Sequence, residues 1–169
     1  MTKHTYVYVT YIVSTPQKVW EALTDAKISA RYWERQNVSD WKVGSRWTHG
    51  FAGKAPDVVG RVLESDPPRK LVTTWLRPDH EDQPEFANRC TFEIEDVGGK
   101  VKLTVTHTNL TDQDLKNISG GWPAVLSSLK TYLETGRALS ASDRNAASAD
   151  EWRGAVHRSP RGSADRNSA

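Results

Sequence analysis

The chain has 169 residues, of which 37% are hydrophobic and 26% charged, an ordinary globular composition with enough length for one sizeable core. Its formal charge is +2, and from Arg137 onward six arginines face four acids, so the remainder is nearly neutral and no nucleic-acid surface is implied. The N-terminal "MTKHTYVYVTYIV" lacks the apolar run and cleavage site of a signal peptide, and no stretch approaches eighteen apolar residues. The lone Cys90 allows neither an internal disulfide nor a cysteine-rich zinc site. The expectation is a cytoplasmic protein with no membrane span and a core thiol.

Residues Thr5 to Val13, dense in Tyr, Val, Ile and Thr, predict a strand. Thr15 before Pro16 is an N-cap followed by proline at the first helical position, and "PQKVWEALTD" puts Val19, Trp20 and Leu23 on one face of a short helix. A second short helix is expected around Ala26 to Trp33, and "DWKVGSRWTHGFAG" then reads as a hairpin entering a strand at Arg46 to Gly50. Four strands follow in "DVVGRVLESD", "KLVTTWLR", "NRCTFEIED" and "KVKLTVTHTN", separated by "PPR", a polar loop "PDHEDQPEFA" and "VGG". Short links between consecutive strands predict an antiparallel meander.

In the last helix, Trp122, Leu126, Leu129 and Leu133 recur at spacings of four, three and four, one apolar stripe that must be buried. Thr111 is its expected N-cap, with Asp112 and Asp114 at the positive end of the dipole, and Gly136 its C-cap. Gly120, Gly121 and Pro123 predict a kink near Ser119 to Gly121, because proline cannot donate to the carbonyl four residues back. From residue 140 to 169 the chain is rich in Ser, Ala, Asp and Arg and poor in large apolar residues, which predicts a disordered tail after a domain spanning 1–139.

The order is strand, two short helices, a run of strands and a long helix. It predicts an α+β fold in which a curved antiparallel sheet of about six strands wraps around the C-terminal helix. The stretches "STPQKVWEALTD", "GRVLESDPPRKLVTTW" and "LTVTHTNL", followed by "GGWPAVLSSLKTYLE", resemble the START-like helix-grip (SRPBCC) superfamily. Within it they are similar to the Activator of Hsp90 ATPase homologue 1-like family, over about residues 5 to 136. That resemblance implies an apolar cavity between sheet and helix, which in many members holds a hydrophobic small molecule.

Six tryptophans lie in the part expected to fold, and their large faces with one polar N–H suit the wall of an amphipathic pocket. Trp33, Trp47, Val62, Trp75, Phe92, Trp122, Leu126 and Leu129 are therefore candidate ligand-binding residues, joined by two polar ones. His107 shares its strand face with Val101, Leu103 and Val105, and alternation places Glu64 beside Val62, facing inward. A histidine ending an apolar stripe can bind a ligand carbonyl or act as a general base. The five histidines lack the spacing of a metal site, no nucleophile elbow or phosphate loop is present, and no cofactor is expected. The sequence favours a hydrophobic small-molecule binding protein over a cyclase or dehydratase using His107 and Glu64. A chaperone ATPase activator is the third reading, and a homodimer is compatible with all three.

Overall fold

The computed structural model of the chain describes residues 2–140; the expected tail therefore lies, from residue 141 onward, outside the described residues. Strand β1 (His4–Ile12) is followed by helices α1 (Pro16–Thr24) and α2 (Ala26–Trp33). Strands β2 (Gln36–Val38), β3 (Arg46–Gly50), β4 (Val58–Asp66), β5 (Lys70–Trp75), β6 (Asn88–Asp96) and β7 (Val101–Leu110) come next, and α3 (Asp112–Thr135) closes the chain. All neighbouring strands are antiparallel in one seven-stranded sheet of order β1-β7-β6-β5-β4-β3-β2. The meander from β3 to β7 is thus as expected, with β1 added beside β7 and β2 beside β3. Three-residue β2 is the strand beyond the expected six: it is too short to show alternation, and only its pairing with β3 defines it.

The helix ends follow local chemistry. Thr15 accepts from the Lys18 amide with Pro16 in the first turn, and Thr111 and Asp114 exchange bonds in a capping box. Gly136 ends α3 in the left-handed region at φ 79°. Pro123 lies inside a helix that runs on through Asp112–Thr135, so the expected interruption is absorbed without dividing the element. Pro123 nevertheless offers no amide to the Ser119 carbonyl, which leaves one rung of the helical ladder missing beside Gly120 and Gly121.

The core forms where α3 crosses the concave face of the sheet. Trp122, Leu126 and Leu129 are buried as the stripe demands, and Leu133 packs half-buried at its end. From the sheet, Val101, Leu103, Val105 and His107 of β7 alternate inward, meeting Phe92 and Ile94 of β6 and Leu71 and Trp75 of β5. The C-terminal half of α3 is tied down: Ser128 Oγ donates to the Tyr32 carbonyl at 2.8 Å, and the Val13 amide donates to Glu134 at 2.8 Å. Lys130 Nζ donates to the Tyr11 carbonyl, so two backbone groups at the end of edge strand β1 are satisfied from the helix. On the outer side of β1 and just after it, Val7, Val9, Tyr11 and Val13 stay exposed.

Glu64 corrects the alternation argument. The β4–β5 register shifts between Val62 and Glu64, so Glu64 does not continue the inward face of Val62. Its carboxylate lies at the surface, 44% exposed, paired with Lys70 Nζ at 3.2 Å.

Candidate functional site

A cavity of about 320 Å³ opens between the first turns of α3 and the β5–β6 end of the sheet. Its apolar lining comes from Val58, Trp75, Leu76, Phe86 and Ile118, and its polar lining includes Asn88, His107, Gln113 and Asn117. Lys3, Asp57, Arg77, His80 and Asp114 also border it. Two elements build the mouth. The loop after β5 forms short 3-10 turns at Pro78–His80 and Pro84–Phe86 that stack His80 on Phe86, with ring centres 4.7 Å apart. At the start of β1, His4 Nε2 and Asp112 meet at 2.6 Å and hold the strand to the head of α3.

His107 stands at the inner end. It is 1% exposed, its ring centre lies 5.3 Å from that of Trp75, and Trp122 Nε1–H donates to its Nδ1 at 3.3 Å. With Nδ1 accepting, the proton of the neutral ring sits on Nε2. Burial pushes the pKa of His107 down to about 4, against the opposing pull of the Asp114 carboxylate, so the ring is neutral at physiological pH. Nε2 is buried and has no hydrogen-bond partner among the described residues, and the same holds for Asn88 Oδ1.

Most of the expected ligand-binding residues are core. Trp33, Trp47, Trp75 and Trp122 form one cluster with ring centres 5.1–6.3 Å apart, and Phe92 meets Trp122 edge-on at 5.7 Å. The space between Trp33, Trp41, Trp47, Trp75 and Phe92 is about 10 Å³, room for no more than one water. Val62, Leu126 and Leu129 are fully buried beside this cluster. Of the ten candidates only Trp75 and His107 border the larger cavity, and Glu64 stands on β4 with two strands between it and the β7 strand of His107, paired instead with Lys70. Sequence reasoning missed Asn88, Phe86 and Ile118. Asn88 alternates with Cys90 on the inward face of β6, a legible signal, whereas Phe86 sits in an irregular loop with no periodicity to reveal it.

A second buried imidazole sits outside the cavity. His49 Nδ1 donates to Asn37 Oδ1 at 2.7 Å, and Asn37 in turn donates to the Leu23 carbonyl. Burial, aided by the Arg35 charge, pushes its pKa down to about 3. In the unfolded chain both histidines titrate near 6.5, so the unfolded state binds more protons between about pH 6.5 and pH 4. Stability is full above the unfolded pKa and is lost as pH falls through that window, with a limiting slope of about 2.7 kcal/mol per pH unit for two groups. Urea unfolding at pH 6.5, 5.5 and 4.5 measures the slope; stability that stays level to pH 5 would show both rings to be hydrated or charged in the folded state.

A seven-stranded sheet gripping a long C-terminal helix, with a cavity at one end of the grip, defines a helix-grip (SRPBCC-type) protein. The model of the "Activator of Hsp90 ATPase homolog 1-like protein" family matches residues 14–134, and the chain belongs to that family. Among solved structures it is similar to ChR145 from Cytophaga hutchinsonii, with 29% identity and a TM-score of 0.63 over 77% of this chain and 93% of that one. It is also similar to the Aha1 dimer from Colwellia psychrerythraea, with 23% identity and a TM-score of 0.66 over 79% of this chain and 98% of that one. PFC0360w, an HSP90 activator from Plasmodium falciparum, matches with 24% identity and a TM-score of 0.60 over 70% and 86%. No curated protein matches the sequence. At identities below 25% the likeness establishes the fold alone.

Proposed function

We propose that the chain binds a small hydrophobic molecule in the cavity beneath the first turns of α3. The observation that carries this reading is the cavity itself: about 320 Å³, walled by Trp75, Phe86, Ile118, Val58 and Leu76, with few polar groups at its inner end. That size is at the lower end of the range of small-molecule sites, and the apolar wall faces polar and charged residues, among them Lys3, Asp57 and Arg77, that border the same space. Native mass spectrometry of freshly purified protein tests the proposal, the expected result being a co-purified species that organic extraction releases. Catalysis by a His107–Glu64 pair finds no support, since Glu64 is engaged with Lys70 at the surface.

The family description and the Plasmodium neighbour favour a second reading, stimulation of an Hsp90-type ATPase. Adding the chain to such an ATPase and measuring turnover decides it. The exposed Val7, Val9 and Tyr11 on β1 and the dimeric Colwellia neighbour support self-association, which sedimentation across a concentration series measures. Among the described residues no helix is long and apolar enough to cross a membrane. The cytoplasm is the compartment we propose, supported by the buried, free Cys90 thiol.

Entry to the cavity follows from how α3 is held. Its last turns are bound to Tyr32, Tyr11 and Val13, whereas Gln113, Asn117 and Ile118 of its first turns border the cavity. The missing rung opposite Pro123, next to Gly120 and Gly121, lies between the two halves. The first half is expected to act as the gate. Amide exchange across residues 115–125 should slow on adding an apolar fluorescent probe, and Gly120→Ala, at a half-buried position, should slow probe association several-fold. Exchange already as slow as in β6, with unchanged association, would reduce the glycines to a packing device.

A further inference from the structure

The inner end of the cavity carries a specific chemical demand. His107 Nε2 and Asn88 Oδ1 are both buried, both belong to residues bordering the cavity, and neither has a partner among the described residues. Buried polar atoms are almost always hydrogen-bonded, so two orphans on one cavity wall mark a place where the partner comes from elsewhere. Their roles are complementary. Trp122 donates to Nδ1 of His107, which makes Nε2–H a donor, while Asn88 Oδ1 is an acceptor. They are also neighbours: His107 pairs with Cys90, and Asn88 precedes Cys90 by two residues on the same face. Such diagonal positions lie roughly 7 to 8 Å apart at the backbone, within the span of one small head group.

Three further observations hold the pair in place. Asn88 pairs across the sheet with Trp75, whose ring packs edge-on against His107. Asn109 takes a left-handed conformation at φ 63° and donates through Nδ2 to the Ala87 carbonyl, fixing the backbone next to Asn88. The nearest carboxylate bordering the cavity from α3, Asp114, is engaged in the capping box with Thr111.

Resting on the reading of the cavity as a ligand site, we infer that its inner end takes a neutral head group presenting a hydrogen-bond acceptor beside a donor, as in a carboxamide, a lactam or a hydroxy-ketone. The acceptor receives a hydrogen bond from His107 Nε2–H, and the donor gives one to Asn88 Oδ1. A carboxylate is disfavoured between the Asn88 oxygen and the neutral His107 imidazole; Lys3 and Arg77, the cations that border the same cavity, are the groups that would oppose this preference. The apolar body of the ligand lies against Trp75, Ile118 and Phe86.

Four bicyclic probes of nearly equal size separate these requirements: 2-naphthamide carries acceptor and donor, 2-acetonaphthone an acceptor only, 2-ethylnaphthalene neither, and 2-naphthoate a negative charge. In isothermal titration of the full chain at pH 7, the amide should bind roughly tenfold more tightly than the ketone, and the ketone roughly tenfold more tightly than the hydrocarbon, since each step satisfies one buried orphan. Naphthoate should bind more weakly than the amide. Asn88→Leu should abolish the amide's advantage over the ketone while keeping the ketone's advantage over the hydrocarbon. His107→Phe should abolish the latter. If His107→Phe does not fold because Trp122 loses its acceptor, the four-probe series on the unaltered chain and on Asn88→Leu still carries the test. Equal affinities for amide, ketone and hydrocarbon, or tightest binding of naphthoate, overturn the head-group inference and leave the cavity reading standing. Failure of all four probes to bind overturns both.

Discussion

Replacement of Trp122 by alanine is expected to lower the stability of the fold by about 3 to 5 kcal/mol, the range for deleting a large buried aromatic ring without full collapse of the site. Trp122 is 4% exposed. Its ring contacts Trp33, Trp75 and Phe92 at centre distances of 5.5–5.7 Å, so four aromatic residues share one contact region where α3 meets the sheet. The substitution also removes the donor to His107 Nδ1 and leaves a second buried nitrogen unpaired on that ring. Urea denaturation checks it, with the midpoint shifted and the slope preserved. A loss below about 1 kcal/mol would mean that α3 presents a different face to the sheet.

Gly60→Ala is expected to be as damaging for the opposite reason. In β4, Gly60 is paired with Trp47 of β3, and the Trp47 indole N–H donates to the Thr74 carbonyl at 2.8 Å across the position where a side chain would stand. A Cβ at residue 60 would lie 1.9 Å from that carbonyl oxygen and 2.4 Å from Trp47 Nε1. One of these contacts is backbone within the β4–β5 ladder, so relief requires either spreading the strands or expelling the indole. The expected cost is about 3 kcal/mol or more, beyond ordinary overpacking. Thermal unfolding followed by tryptophan fluorescence measures it, and a melting temperature within a few degrees of the parent would show that Trp47 can leave its site cheaply. Arginine at residue 61, which faces solvent, is the matched control: Arg61→Ala should be nearly neutral.

These two effects mark where sequence patterns are informative and where they stop. The stripe from Trp122 to Leu129 is burial written at helical spacing, and both caps of α3, Thr111 and Gly136, were legible because capping depends on residues within one turn. The inward set Val101, Leu103, Val105 and His107 was legible for the same reason: alternation along an unbroken strand is a local property. Glu64 was misplaced because a register shift in the β4–β5 ladder is a property of two strands together, invisible along either one.

The candidate site divides in the same way. The order of elements, the sheet-and-helix class, the buried face of α3 and the inward placement of His107 are all legible along the chain, since each rests on periodicity or on contacts between residues near in the chain. Which aromatic residues are core and which border a cavity depends instead on long-range packing. Trp33, Trp47 and Trp75 carry the same pattern signal, yet how closely rings interdigitate depends on strands far apart in sequence. Packing also brings Asn88 and His107 together, because their proximity arises from the pairing of β6 with β7, and leaves His107 Nε2 and Asn88 Oδ1 without a partner among the described residues. The donor on Trp122 that fixes the tautomer of His107 arrives from α3, an element whose docking no local pattern specifies.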